Sequence, residues 1–149
     1  MATGTKIADW IENMGTVVNM SSDTFKVALS NTAPASEVSN PTATGNGVLA
    51  NVTQISYTNY SDNLTVDRTL ESVTWAEASG TTKFDAGDFI ITASGGALAT
   101  FRYIYVYDDT PTSPADPLVG VWDHGSGITL ADTQTATITF HANGLFTVA

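Results

Sequence analysis

The stretch Phe101-Arg102-Tyr103-Ile104-Tyr105-Val106-Tyr107 constrains the fold more than any other part of the chain. Aromatic and β-branched residues at this density favour a strand. Side chains alternate along a strand, so Phe101, Tyr103, Tyr105 and Tyr107 are expected on one face and Ile104 and Val106 on the other. Both faces are apolar, which predicts a central strand covered on two sides. Asp108-Asp109-Thr110-Pro111 stops it, and Leu118–Trp122 is expected to return beside it as a wide hairpin.

The rest of the chain reads as short strands between turns. Phe25, Val27 and Leu29 alternate within 23–30, predicting a strand with one buried face. Residues 64–70 and 73–75 predict two further segments, and 83–91 alternates loosely around a turn near 85–88. Ser94-Gly95-Gly96 and Gly125-Ser126-Gly127 are expected turns. Residues 135–140 predict another strand, and Asn143-Gly144 a tight turn before the last one, 145–148. At the N-terminus, residues 1–4 read as a loose arm. Ile7, Trp10, Ile11 and Met14 then form one helical stripe, with Thr5 as a cap and Gly15 as a stop; it is expected to pack on its own domain or, in the sharper reading, to dock on a neighbouring subunit. Residues 48–55 predict a short helical turn, and 31–47, rich in Ser, Thr, Pro, Asn and Gly, a long loop lying on a partner. The expectation is one mainly β domain over 1–149, an antiparallel β-sandwich or jelly-roll-like barrel with one short N-terminal helix within 1–20.

Composition removes several function classes. The chain has 149 residues, enough for a domain to bury about 70% of its unfolded surface. It has no cysteine, so disulfides, zinc–thiolate sites and a cysteine nucleophile are out. Net charge is −10, and Lys6, Lys26, Arg68, Lys83 and Arg102 are scattered, so no nucleic-acid face is expected. A polar start and the lack of long apolar runs predict neither a secretory leader nor a membrane span.

The candidates for chemistry are thin. His124 lies between Asp123 and Ser126, but sequence neighbours in a turn rarely assemble a triad, and His141 reads as solvated. Asp108, Asp109, Asp116 and Asp123 flank one hairpin without calcium-loop spacing. Glu71 and Glu77 flank residues 73–75 and would be the acids of a glycosidase. Trp75, Trp122 and the Tyr103-Tyr105-Tyr107 face are candidates for a sugar platform, though strand aromatics usually pack. Gly45-Asn46-Gly47-Val48-Leu49-Ala50 matches a dinucleotide fingerprint out of context. Four Asn-x-Ser/Thr triplets read as chance products. The reading is therefore a non-enzymatic chain with no cofactor and no metal, for which Ile7, Trp10, Ile11 and the 31–47 loop are the expected partner contacts.

Three stretches carry a resemblance. Asp23-Thr24-Phe25-Lys26-Val27-Ala28-Leu29 is similar to a D-T-[IF]-K-V-A-L strand. Phe101-Arg102-Tyr103, Tyr107-Asp108-Asp109-Thr110, Pro117-Leu118-Val119-Gly120 and Asp123-His124-Gly125 follow in order like an R-Y-x-x-x-Y-x-D-T, P-L-[IV]-G, D-x-G series. Gly144-Leu145-Phe146-Thr147-Val148-Ala149 resembles a G-[IL]-x-x-x-A terminus. Together they resemble a family of small virion structural proteins of tailed phages, of the capsid-cement or head-decoration kind. Residues 31–62 depart most from it. The resemblance implies a sandwich fold, a homotrimer, the major capsid protein as partner, and residence on the capsid surface after synthesis in the host cytoplasm. A tail or fibre component with carbohydrate affinity is the alternative.

Overall fold

In the computed structural model, residues 3–35 and 47–148 are described. Ten strands and one α-helix follow in the order β1 (Thr3–Lys6), α1 (Trp10–Thr16), β2 (Phe25–Ser30), a 3-10 turn (Leu49–Asn51), β3 (Tyr60–Asp62), β4 (Thr74–Ala78), β5 (Thr81–Asp85), β6 (Phe89–Ala93), β7 (Phe101–Asp108), β8 (Leu118–Ile128), β9 (Thr135–Ile138) and β10 (Phe146–Val148). The fold is mainly β, as the strand pattern predicted, and every sheet is antiparallel. A four-stranded sheet runs β1-β8-β7-β2. Two three-stranded sheets run β10-β5-β4 and β3-β6-β9. Among the described residues no sheet closes into a barrel.

One apolar core joins the three sheets. Phe25, Val27, Leu29, Phe101, Ile104 and Val106 of the four-stranded sheet pack with Phe84 of β5 and with Phe89, Ile91 and Ala93 of β6. Phe25 and Phe84 meet at 4.8 Å between ring centres. The opposite face of the four-stranded sheet carries Ala28, Tyr103, Tyr105, Tyr107, Leu118 and Val121, covered by Ile7, Leu49 and Val52. β7 is thus a central strand with two buried faces, because turns and connections rather than a second sheet cover its tyrosine side.

Several local expectations are corrected. Thr3 and Gly4, expected in a loose arm over 1–4, belong instead to β1, which pairs with β8 from Thr3↔Asp123 to Lys6↔Gly120. The helix starts at Trp10, after Asp9, and Thr5 lies in β1. Phe101 joins Ile104 and Val106 in the shared core, not the tyrosines. A register irregularity falls at the same place: Phe101 pairs with Ile128 but Tyr103 with Asp123, so the extra residues lie on β8. Gly125-Ser126-Gly127 lies inside the long strand β8. Residues 64–70 form turns rather than a strand, held by the Asp62 carboxylate, which accepts the Leu64 N–H at 3.1 Å and the Arg68 N–H at 3.0 Å. The turn at Asn143-Gly144 forms, yet β9 and β10 enter different sheets.

Candidate interaction surface

The three contact residues named from the sequence divide. Ile7 and Trp10 are 0% exposed, sealed inside their own chain. Trp10 stands edge-on to Phe25 and to Phe146, each at 6.3 Å. Ile11, one residue on, turns outward and is 49% exposed. The spacing that suggested one stripe fails because Ile7 precedes the helix, so its side chain is set by the β1–α1 connection. Of the three, Ile11 alone offers surface. The 31–47 loop falls mostly outside the described residues.

A groove opens where β1 and β8 face β10. It has a volume of about 240 Å³ and is lined by Gly4, Thr5, Lys6, Val119, Gly120, Trp122, Leu145 and Phe146. Trp122 forms its wall. The indole lies flat across two glycines: a Cβ on Gly4 would meet Trp122 Nε1 at 2.5 Å, and one on Gly120 would meet its Cη2 at 3.1 Å. Gly4 admits only glycine if the ring is to stay, and at Gly120 a side chain would push the ring by a few tenths of an ångström, which is the close approach glycine permits. Phe140 supports the ring from the edge at 6.3 Å. A partly exposed indole, an apolar floor and one lysine suit a buried side chain of a partner more than a chemical reaction.

The candidate chemistry does not assemble. The Asp123 carboxylate is held by Arg102 through two bonds of 2.7 and 2.8 Å, and by the Gly125 N–H at 2.7 Å. These bonds, that to Arg102 first, pull its pKa down to about 2. Its commitment to Arg102 leaves His124 facing the Ser126 carbonyl oxygen at 3.0 Å. His141 is exposed and its Nδ1 accepts the Asn143 N–H at 3.1 Å. Glu71 accepts the Thr65 N–H at 2.6 Å, and hydrogen bonding from Thr65 holds its pKa below the ordinary carboxylate value. Glu77 accepts the Gly80 N–H at 2.6 Å. Each glutamate closes its own turn. Among the described residues no three His, Asp or Glu converge as a metal site would require.

The aromatic candidates also sort by burial. Tyr103, Tyr105 and Tyr107 are buried at 7%, 1% and 5% exposure and form no platform. Trp75 packs on Phe146 at 5.9 Å. Gly47 of the glycine motif belongs to a turn whose carbonyl accepts the Leu118 N–H at 2.8 Å, and a single 3-10 turn follows instead of a helix. Sequence reasoning missed a cluster in which the Arg68 guanidinium lies 3.9 Å over the Tyr57 ring, with Tyr60 edge-on to Tyr57 at 5.5 Å. No local spacing announces it, because residues 62–70 are turns. Comparison with family models, with curated proteins and with solved structures finds no match.

Proposed function

We propose that this chain is a non-enzymatic structural protein of a tailed-phage particle, a capsid cement or decoration protein. In this reading it sits on the outer shell as a homotrimer and bridges neighbouring major capsid protein subunits. The observation that carries it is the ordered series of resembling stretches. In the fold these stretches are β2, the adjacent pair β7 and β8, and β10. They make up the spine of the four-stranded sheet and the strand bordering its groove. Cement needs area rather than chemistry: a standard interface buries about 1,600 Å² in total, and many copies on a symmetric shell gain from avidity. Ile11 and the Trp122 groove are the surface offered to such contacts.

The test is to mix the purified protein with shells that lack it and to image the particles by cryo-electron microscopy. Ordered density between capsid subunits is the expected result, with the shells gaining resistance to heat or salt. Bare shells would end this reading. The partly exposed Trp122 favours one second reading, a tail or fibre component with sugar affinity. Glycan-array binding lost in Trp122→Ala, with labelling confined to tails, would select it.

A further inference from the structure

The corner where β2 begins and β7 ends holds a carboxyl group that, among the described residues, has no cation paired with it. Asp108 closes β7, and it is 0% exposed. Its Oδ1 accepts the Thr110 N–H at 3.0 Å. Its Oδ2 is buried and receives no donor. Asp23 approaches from the connection between α1 and β2. The Asp109 N–H donates to the Thr24 carbonyl at 2.8 Å, and Phe25 pairs with Asp108 in register. Asp23, one residue before Thr24, is thereby held at the same corner, and its carboxyl is the charged group that acts on Asp108. It is itself fixed by the Asn19 N–H, which donates to its Oδ2 at 2.6 Å.

Two ionised carboxylates repel and have no hydrogen to share, so a bond between them needs one proton. As a carboxylate, Asp108 leaves Oδ2 an orphan in an apolar setting, which is costly. As a carboxyl it finds an acceptor in Asp23. Burial, with the Asp23 charge adding to it, pushes Asp108 up to about 7. The other charges nearest this corner act on Tyr107 and Asp116 and not on Asp108. Lys26 on β2 is ion-paired with Asp109 at 2.8 Å. Arg68, from the 62–70 turns, is ion-paired with Asp67 at 2.8 Å. Asp116, in the 110–117 turn, adds a further carboxyl whose pKa burial also raises.

We propose that Asp108 and Asp23 share a single proton, and that this proton latches the α1–β2 connection onto the end of β7. The latch ties Asn19, Thr24 and Thr110 together, since the Thr24 N–H also donates to Thr110 Oγ1 at 2.9 Å. The same corner anchors the chain re-entering at 47–49, through the Leu49 N–H on the Asp116 carbonyl at 3.0 Å. Losing the proton puts two like charges into the site and loosens both connections. This inference stands apart from the shell-binding reading.

The sign follows from the raised value. A group that holds its proton more tightly when folded stabilises the fold fully below its unfolded pKa, 3.8 for an aspartate. That contribution is lost as pH rises toward the folded value near 7. The experiment is urea unfolding of the full chain from acid to mildly alkaline pH, for the wild type, Asp108→Asn and Asp23→Asn. In Asp108→Asn the amide donates to Asp23 as the protonated acid would. The wild-type folding constant should fall relative to Asp108→Asn by up to tenfold per pH unit between the two values. Carbon-13 NMR should show Asp108 titrating near 7 in the wild type. In Asp23→Asn, whose amide can donate to an ionised Asp108, that midpoint should drop by a unit or more, which keeps the test open should Asp108→Asn fail to fold. Parallel unfolding profiles, or an Asp108 midpoint in the ordinary carboxylate range, would overturn the proposal. So would millimolar calcium stabilising the wild type but not Asp108→Asn at alkaline pH, which would make the pair a cation site.

Discussion

The four-stranded sheet and the two three-stranded sheets share a core but are buried differently. From Tyr103 to Asp108 every residue of β7 is buried, and β2 has a single half-buried position, Lys26. β9 instead alternates, with Ala136 and Ile138 half-buried and Thr135 and Thr137 exposed, and β4 tucks in only Trp75. The small sheets are held through a few inward anchors, chiefly Phe84, Phe89 and Ile91. The difference teaches where the stability resides. A doubly covered strand loses packing on two sides when it is disturbed, whereas a one-sided sheet loses it on one.

The sharpest test of this contrast uses two tryptophans. Trp10→Ala should cost about 3–5 kcal/mol in urea unfolding, because a fully buried ring leaves a cavity its neighbours cannot fill. Trp75→Ala, on a partly exposed strand, should cost less than half as much. Trp10, on α1, bridges Phe25 of the large sheet and Phe146 of a small one, so equal losses would mean that a half-buried small-sheet anchor matters as much as the ring that joins both sheets.

The same contrast explains what could be read in advance. Strand β7 announced itself because both faces are apolar, and β2 because Phe25, Val27 and Leu29 alternate. Ile7 and Trp10 could be read either way in the sequence, since burial within the chain and burial at an interface select the same residues. Strand β1 was hidden: Thr3-Gly4-Thr5-Lys6 has no apolar face, and its pairing is fixed by the approach of Trp122 over Gly4. The groove and the Asp23–Asp108 corner unite residues from distant segments, so only the fold could assemble them.

Two glycines separate strain from packing on the β10-β5-β4 sheet. Gly80 has φ +80°, with open space where a Cβ would go. Gly144 has φ +82°, and a Cβ there would run into the Phe84 carbonyl and the Lys83 side chain. Gly80→Ala should cost only the left-handed penalty, about 1 kcal/mol. Gly144→Ala should cost about 2 kcal/mol or more, read as a lower midpoint of thermal unfolding, because β10 must also shift off β5. Equal costs would mean that β10 contributes little.

Acid titration sharpens the contrast on the four-stranded sheet itself, where two aspartates have opposite signs. Asp123 is held at about 2 by Arg102, below its usual 3.8. Its contribution is present above 3.8 and is lost as pH falls toward 2. Asp123→Asn should therefore flatten the limb of the stability profile below pH 3.8 and leave the limb between 3.8 and about 7 unchanged. Asp108→Asn should do the reverse. A variant that altered both limbs would show that the two ends of β7 and β8 are not independent.

The smallest effect on stability is expected at Ile11. Its side chain is half exposed on a helix whose neighbouring Trp10 carries the burial. Ile11→Ser should leave unfolding within about 0.5 kcal/mol of the wild type, as surface changes usually do. If α1 faces a shell, the same substitution should weaken retention on purified particles about tenfold, the scale of one interface residue of moderate weight. Co-sedimentation across a dilution series measures it. Unchanged stability with lost retention would assign α1 to the contact. Unchanged stability with unchanged retention would move the contact to the Trp122 groove, where Trp122→Ala is the next variant to examine. Trp10→Ala cannot make that distinction, because a chain that has lost its core loses every surface built on it.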